Sequence, residues 1–326
     1  MEEALFAELL GQPRAVALLE AALAKGRIAP AYLFAGAEGV GRCLAALRFL
    51  EGRLAGSLPA GTDRAVLRRR LEQGNHPDLL WVEPTYSHQG RLVKASEAEA
   101  EGVSRRTAPQ IRLEQVREVA RFLARHPVEA PGPLVVIENA EAMAEGAANA
   151  LLKTLEEPGA GLLLLITAAP EQLLSTIRSR CQQIPFQRLP PPLVAEVLAR
   201  RGAAGSSAAP AEGAEPPELQ ELAAGSPGAL LEHRQRWRDL PEGLADRLLA
   251  LRADPLEAMA LARDLCEALD GEQQQWLLNW WELALWRRRG PGVDLRRLER
   301  LRSHLRAHVS PRLAWEVALL QLGGCL

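Results

Sequence analysis

Short, uninterrupted apolar runs alternate with helical segments through the first half of the chain, and this alternation constrains the fold more than any other feature. The strand candidates are Ala31–Ala35 (AYLFA), His76–Pro84 (HPDLLWVEP), Pro133–Ala140 (PLVVIENA) and Leu162–Ala168 (LLLLITA). Strands that are apolar on both sides are typical of parallel sheets covered by helices on both faces. An α/β core with a parallel sheet is therefore predicted.

The segments between these runs are predicted as helices and one long loop. Helical periodicity covers Ala15–Ala24, Arg42–Gly52, Leu113–Ala124 and Gly146–Glu157. The segment Tyr86–Ala108 is polar and has no clear period, so it is predicted to be a long loop or insertion.

Strand patterns end at Leu189–Pro192 (LPPP), and the rest of the chain has helical spacing. The tract Gly202–Pro217 consists largely of small residues and prolines, a composition typical of flexible loops. From about Trp237 the sequence becomes rich in Leu, Ala, Arg and Trp. Three parts are predicted: residues 1–188 as the α/β core, 189–235 as a small helical domain and 236–326 as an all-α domain.

The bulk composition limits the possible functions. The net charge is −2, so any contact with DNA must come from a local patch. The four cysteines form no C-x-x-C pair, which argues against a zinc site and against a disulfide framework. The acidic N-terminus does not resemble a signal peptide, and no apolar run reaches membrane-spanning length, so a cytoplasmic location without membrane contact is expected.

Gly36–Cys43 (GAEGVGRC) has the spacing of a phosphate-binding loop, G-x-x-x-x-G-K-[ST], and follows the first apolar run. The glycines that would form the phosphate cradle are Gly36, Gly39 and Gly41. The chemistry is altered, because Arg42 replaces lysine with a bulkier planar cation and Cys43 offers a soft sulfur to a metal that prefers oxygen. Taken alone, the spacing fits a tight turn equally well.

A second altered motif follows the strand Val135–Ile137. In nucleoside triphosphatases of this architecture, such a strand precedes an Asp that positions magnesium and often a Glu that activates water. Here the positions hold Glu138, which is one methylene longer, and Asn139, which cannot act as a general base. A buried strand ending in a polar turn would look the same, but two altered motifs at this separation favour a degenerate nucleotide site.

Further motifs follow in order: Asn149–Pro158 (NALLKTLEEP), Ser179, Arg180 and Cys181 (SRC), and Ala224–Leu230 (AGSPGAL). With the altered loop, they resemble the delta-prime family of bacterial DNA polymerase III clamp-loader subunits, which belongs to the AAA+ superfamily. The resemblance covers about Leu9 to Leu189, with AGSPGAL beyond it. It implies an AAA+ core with a degenerate phosphate loop, a small helical lid domain and a C-terminal oligomerisation collar.

The resemblance also implies a role for Arg180. In that family the arginine of SRC is an arginine finger that enters the ATP site of the neighbouring subunit, and such residues accelerate phosphoryl transfer by about 10³ to 10⁵. The plainer alternative is that Arg180 is a surface arginine in an ion pair with a nearby residue. Arg178 is close enough in the sequence to be mistaken for the finger. Thr167 occupies a sensor position and is expected to be structural. Hydrolysing relatives carry another sensor arginine after the GS pair, but residues 227–229 provide none.

No cofactor is expected in this chain. Many clamp-loader relatives have a four-cysteine zinc module where this sequence has Gly56–Asn75, which contains no cysteine. Zinc is therefore not expected, and ATP is expected on a neighbouring subunit. The implied partners are gamma/tau-type ATPase subunits and the delta subunit, with the sliding clamp and primer-template DNA contacted through the assembled complex.

The leading hypothesis is a non-hydrolysing scaffold subunit of the DNA polymerase III holoenzyme that supplies Arg180 to an adjacent ATPase. The second is an active AAA+ clamp-loader motor that tolerates its altered loop. A third, a nucleic-acid-binding helical module, is disfavoured by the net charge. The tryptophans of Trp276–Trp286 are predicted to pack in a core or a subunit interface rather than stack on bases.

Overall fold

The computed structural model describes residues 5–325, apart from 57–62, 89, 99, 104–107, 158, 204–214, 291–293 and 308–309. The described residues form two compact units. One contains the residues up to 203 together with Gly225–Gly228, and the other contains residues 215–224 and those from Ala229 onward. The three-part division at residues 189 and 236 stays a prediction.

The first unit alternates strands and helices. In chain order it contains α1 (Pro13–Ala24), β1 (Ala31–Ala35), α2 (Arg42–Ala55), α3 (Arg64–Glu72), β2 (Leu79–Val82), β3 (Thr85–His88), β4 (Arg91–Lys94), α4 (Leu113–Leu123), β5 (Leu134–Ile137), α5 (Glu145–Glu156), β6 (Leu162–Thr167), α6 (Ser175–Arg178), β7 (Gln182–Pro185) and α7 (Pro191–Ala203). Every strand and helix predicted for the first half is present, so those predictions are confirmed.

Five strands form a parallel sheet in the order β2-β5-β6-β1-β7. In the register of its central strands, Leu33 lies beside Leu165 and Val135 lies beside Leu163. All residues of β5 and β6 are buried, which is why these strands are continuous apolar runs in the sequence. The predicted α/β fold with a parallel sheet is confirmed.

Helices cover both faces of this sheet. Leu33 and Val135 share a buried cluster with residues of α4 and α5. Tyr32, which points to the opposite face because strand side chains alternate, packs edge-on against Phe49 of α2, with ring centroids 5.1 Å apart. The carboxyl ends of the parallel strands share one edge, so the residues that follow β1, β5 and β6 converge there.

Tyr86–Ala108 is predicted as a long loop or insertion, and the loop alternative is wrong for the first part of this segment. β3 and β4 form an antiparallel ribbon in which Tyr86 lies opposite Val93, and both side chains are buried. Strands of four residues alternate too few times to establish a period, and the clearest local signal is Gly90, which has a φ of 79°. The edge strand β7 was also not predicted, because its sequence QQIP is mostly polar.

A network of charges joins α2 to α3. Arg48 is only 4% exposed, and its guanidinium contacts Glu8 at 2.7 Å, Glu72 at 3.0 Å and Glu51 at 3.4 Å. The buried Glu51 also accepts a 2.9 Å hydrogen bond from Nε of Arg68 on α3. Buried charges are tolerated when they are paired and hydrogen-bonded, so this network fixes α3 in the cysteine-free segment.

The described residues of the second unit form helices joined by turns and include no strand, as predicted. Its helices are α8 (Glu218–Ala223), α9 (Pro227–Arg238, which begins in the first unit), α10 (Leu244–Leu249), α11 (Pro255–Ala268), α12 (Gly271–Arg289), α13 (Leu295–Arg306) and α14 (Pro311–Gly323). The predicted flexible tract Gly202–Pro217 lies mostly outside the described residues. In the described part of the chain, no helix combines the length and apolar composition needed to cross a membrane.

Tryptophans fill the interior of the second unit. Trp276, Trp280 and Trp281 of α12 are each 5% exposed or less. Trp281 and Trp315 lie near each other, with ring centroids 6.1 Å apart. These side chains belong to a hydrophobic core, which is one of the two predicted locations, whereas Trp286 remains 45% exposed.

Candidate functional site

The loop Gly36–Cys43 connects β1 to α2 at the carboxyl edge of the sheet. Gly39 and Gly41 have φ values of 73° and 102°, a region that residues with a Cβ rarely adopt. A Cβ on Gly36 would lie 2.5 Å from the carbonyl oxygen of Phe186. All three glycines are therefore required by the backbone, whether or not the loop binds a phosphate.

Arg42 occupies the position of the phosphate-loop lysine. It is the first residue of α2, and its side chain is only 4% exposed. Its Nη1 is buried and has no hydrogen-bond partner in the described part of the chain. The lysine of a working loop carries a compact, flexible ammonium, whereas this planar guanidinium is enclosed by the protein.

Cys43 and Glu138 are hydrogen-bonded to each other. The Cys43 thiol donates to Oε1 of Glu138 at 3.2 Å, and the Trp81 indole donates to Oε2 at 2.9 Å. Burial raises the pKa of the Cys43 thiol well above its usual range, and the negative charge of Glu138 raises it further. The thiol therefore stays protonated at neutral pH and keeps its bond to the carboxylate.

These residues do not fit a magnesium nucleotide. A protonated thiol is a poor ligand for a hard cation that prefers oxygen, and both oxygens of Glu138 already accept hydrogen bonds from the protein. Asn139, which follows, has a φ of 50° and ends β5 in a left-handed turn. Its carboxamide cannot accept a proton from water as a general base.

Ser226, which precedes α9, and Gly228, in the first turn of α9, donate hydrogen bonds to the loop. The Ser226 hydroxyl donates to the Glu38 carbonyl at 2.5 Å, and the Gly228 amide donates to the Gly39 carbonyl at 3.0 Å. A Cβ on Gly228 would lie 2.6 Å from Cα of Gly39. The loop is thus held by direct backbone contact with residues 226–228, and the sequence has no arginine at 227–229.

Thr167 lies at the end of β6 and is fully buried. Its hydroxyl oxygen accepts a 3.1 Å hydrogen bond from the amide of Ala169. That bond stabilises the turn after the strand, which agrees with the expected structural role.

The SRC motif lies in the turn between α6 and β7, and its residues have different environments. Arg180 is exposed; its Nη2 contacts Oε1 of Glu156 at 2.9 Å, and its Nη1 donates to the Thr176 carbonyl at 3.1 Å. Ser179 is also exposed and bonds to the same carbonyl. Cys181 is part of the buried core, and burial raises its thiol pKa to about 12. The cysteine anchors the turn, and the arginine is presented at its surface.

Arg178 differs from Arg180 in its surroundings. It is half-buried, and its Nε is enclosed without a hydrogen-bond partner among the described residues. Arg180 is therefore the more accessible of the two arginines in this turn.

The sequence did not identify Trp81, Glu156 or Ser226 as site residues. The apolar pattern placed Trp81 in a strand, but nothing in it indicated which side chain the indole would reach. Glu156 and Ser226 lie inside the recognised segments NALLKTLEEP and AGSPGAL, which were the only signal for them. In the described residues, no group of three or more His, Cys, Asp or Glu side chains could hold a metal ion.

A phosphate-type loop follows the first strand β1, an acidic residue follows β5, which is separated from β1 by β6, and an exposed arginine lies in the turn before β7. Together with the parallel sheet, these features define the class of protein as one with an AAA+ fold. The profile described as "DNA polymerase III, delta subunit" matches residues 11–190, and that of the cyanobacterial DNA polymerase III delta-prime C-terminal domain matches residues 193–322. The chain belongs to the DNA polymerase III delta-prime family.

Individual relatives agree with this assignment. The DNA polymerase III delta-prime subunit of Pseudomonas aeruginosa is 35% identical over 271 residues, covering 79% of this chain and 72% of the relative. That of Bacillus subtilis is 36% identical over 194 residues, covering 57% of this chain and about half, 51%, of the relative. A DNA polymerase III gamma subunit-related protein of Thermotoga maritima shares the fold, with a TM-score of 0.50, 16% identity and coverage of 95% and 99% of the two chains.

Proposed function

We propose that this chain is a non-hydrolysing, delta-prime-like subunit of a DNA polymerase III clamp loader. It acts in the cytoplasm as a scaffold beside gamma/tau-type ATPase subunits and a delta subunit. Through the assembled complex it takes part in loading the sliding clamp onto primed DNA. It holds no zinc, and the ATP used belongs to a neighbouring subunit.

The observation that carries this proposal is the bonding of Glu138. Its two oxygens bond to Cys43 and Trp81, so the side chains that would hold magnesium and water in an active site are instead bonded to the protein. The contacts of Ser226 and Gly228 with the loop carbonyls add a second restraint. These features favour the scaffold over an active motor.

The proposed catalytic contribution is Arg180, acting in trans on the ATP site of the neighbouring subunit. Its side chain is exposed, with 36% of its surface accessible, and it sits on a turn anchored by the buried Ile177 and Cys181. A guanidinium can stabilise the charge that develops on a transferring phosphoryl group. An exposed arginine on a firmly held turn meets the requirement for such a role.

The test is Arg180→Ala in the reconstituted complex. The variant should fold and assemble normally, while ATP turnover at the neighbouring site, stimulated by clamp and primed DNA, falls by about 10³-fold or more. The matched control is Arg200→Ala, which removes another exposed arginine in a side-chain ion pair and should leave turnover unchanged. Equal turnover by the Arg180→Ala and unaltered complexes would refute the trans role.

A further inference from the structure

The side chain of Arg180 is held from two directions by two different helices. Oε1 of Glu156, the last residue of α5, lies 2.9 Å from Nη2, and the carbonyl of Thr176 on α6 lies 3.1 Å from Nη1. These contacts select one orientation from the many that a long, exposed arginine can adopt.

Both contacts rest on well-packed backbone. Leu155, which precedes Glu156, is 7% exposed, and Ile177, which follows Thr176, is 0% exposed. Cys181, next to Arg180, is buried in the same cluster as both of these residues. A site that must place one group accurately needs neighbouring residues that are packed rigidly. Here Glu156 connects the packed end of α5 to the guanidinium of Arg180.

The pairing leaves the arginine able to act. A guanidinium has five N–H donors, and the two contacts to Glu156 and Thr176 engage one on each terminal nitrogen. The remaining donors are sufficient for a phosphoryl oxygen. An ion pair between side chains that are 36% and 54% exposed contributes little to stability, so its effect should be on orientation.

We propose that Glu156 is a positioning residue for Arg180, which sets the direction in which the guanidinium is presented to the ATP site of the neighbouring subunit. This inference rests on the proposed trans role of Arg180. Catalysis of phosphoryl transfer depends on placement, and a small displacement of a catalytic group is costly. Removal of Glu156 should therefore slow hydrolysis on the other subunit without affecting the folding of this one.

The experiment compares Glu156→Ala, Glu156→Gln and the control Glu157→Ala, an exposed neighbour, in the reconstituted complex. Glu156→Ala should lower kcat for DNA-stimulated ATP hydrolysis by about 3- to 30-fold, with an unchanged KM for ATP and an unchanged Tm of the isolated chain. Glu156→Gln keeps an acceptor oxygen and should recover part of the loss. Glu157→Ala should behave like the unaltered protein.

A double variant shows whether Glu156 acts through Arg180. If it does, Glu156→Ala should have no further effect in an Arg180→Ala background, because coupled residues are non-additive. Turnover that is unchanged or faster in Glu156→Ala, while Arg180→Ala is slow, would overturn the positioning role and leave the proposed function standing. If Arg180→Ala itself has no effect, the proposed function fails, and this inference fails with it.

Discussion

Asp78 is buried between β2 and the segment after α4. Its carboxylate accepts hydrogen bonds of 2.7 Å from the backbone amides of Val128, Glu129 and Ala130. Burial acts to raise the pKa of this carboxyl, but the three amide donors outweigh it, and the pKa lies below its ordinary value of 3.8. A single side chain thus fixes a loop fifty residues away.

Replacement of Asp78 by alanine should destabilise the first unit. The change leaves three amides without their acceptor, and buried donors left unsatisfied cost about 1–3 kcal/mol each where water cannot reach them. Two of the three hydrogen bonds are only partly buried, so the full cost does not apply to all three amides. We expect a total loss of about 2–5 kcal/mol in the free energy of unfolding, measured by urea denaturation. Asp239→Ala, an exposed control, should change it by less than about 0.5 kcal/mol.

The stabilisation by Asp78 should also depend on pH. Because its folded-state pKa is depressed, the contribution is fully present above the ordinary value of 3.8 and declines as the pH falls through the folded-state pKa. The stability difference between the unaltered chain and Asp78→Asn should therefore shrink below about pH 4. A difference that grows on acidification would contradict the assignment of this carboxylate as ionised in the folded chain.

For individual residues, the sequence indicated which positions belong to the candidate site but not which residues they bond to. Arg180, Cys43 and Glu138 were singled out in advance, whereas Glu156 and Trp81 were not. Glu138 accepts hydrogen bonds from two donors that lie 95 and 57 positions away from it in the sequence. Such long-range bonds depend on how the strands pack, and they leave no local pattern in the sequence.

Among the elements, α12 contributes buried tryptophans that differ in whether their indole N–H is paired, and Nε1 of Trp280 has no partner among the described residues. Buried Gln274 accepts a 3.0 Å hydrogen bond from the Trp315 indole and donates one of 2.8 Å to the carbonyl of Leu269. The Trp281 indole donates to the carbonyl of Leu248 at 3.2 Å. Tryptophan is favourable inside a core when its N–H finds such a partner.

Gln274→Leu should destabilise the helical unit although it makes the core more apolar. It leaves the Trp315 indole and the Leu269 carbonyl unpaired, at about 1–3 kcal/mol for each group left unsatisfied. The expected result is a clear fall in Tm, followed by circular dichroism. Gln275→Leu, at a half-buried neighbouring position, is the control, and a Gln274→Leu variant as stable as that control would refute the role of the hydrogen bonds.

Predictability of the elements followed their burial. β1, β5 and β6 could be predicted because they are central strands with four or more consecutive buried residues. The edge strand β2 could also be predicted, because its residues LLWV are apolar. The edge strand β7 could not, because QQIP is mostly polar, and the strands of the β3–β4 ribbon alternate too few times to establish a period. The ends of helices shifted by up to three residues, since several of them are set by tertiary contacts rather than by local caps.

For the whole molecule, the altered loop predicts that magnesium and ATP do not bind to this chain and do not change its stability. A ligand at 100 times its Kd stabilises a protein by about 2.7 kcal/mol, so a functional site would raise Tm when magnesium and ATP are added. We expect no shift and no ATP turnover for this chain. The double variant Arg42→Lys, Cys43→Ser should also show no shift, because Glu138, Asn139 and the Gly228 contact remain.

A gamma-type ATPase subunit measured in parallel provides the positive control for this experiment. A rise in Tm with magnesium and ATP, or hydrolysis by the purified chain, would favour the active motor instead. Such a result would leave the membership of the chain in its family unaffected.

The order of motifs along the chain was sufficient to predict the class of protein, because it resembles that of a known family. The contact between Ser226 and Glu38 was not predictable, since these residues are 188 positions apart. This contact depends on the course of the backbone through the entire first unit rather than on any local sequence.

The charge network around Arg48 has a consequence for how this protein can be altered by evolution or by design. Arg48, Glu51 and Arg68 share partners, and a buried charge deprived of its partner is strongly destabilising. Positions on α2 and α3 should therefore covary among relatives, with changes arriving as compatible sets. The segment that contains α3 therefore cannot be replaced on its own. Substitution of a zinc module for it would also require changes to the residues of α2.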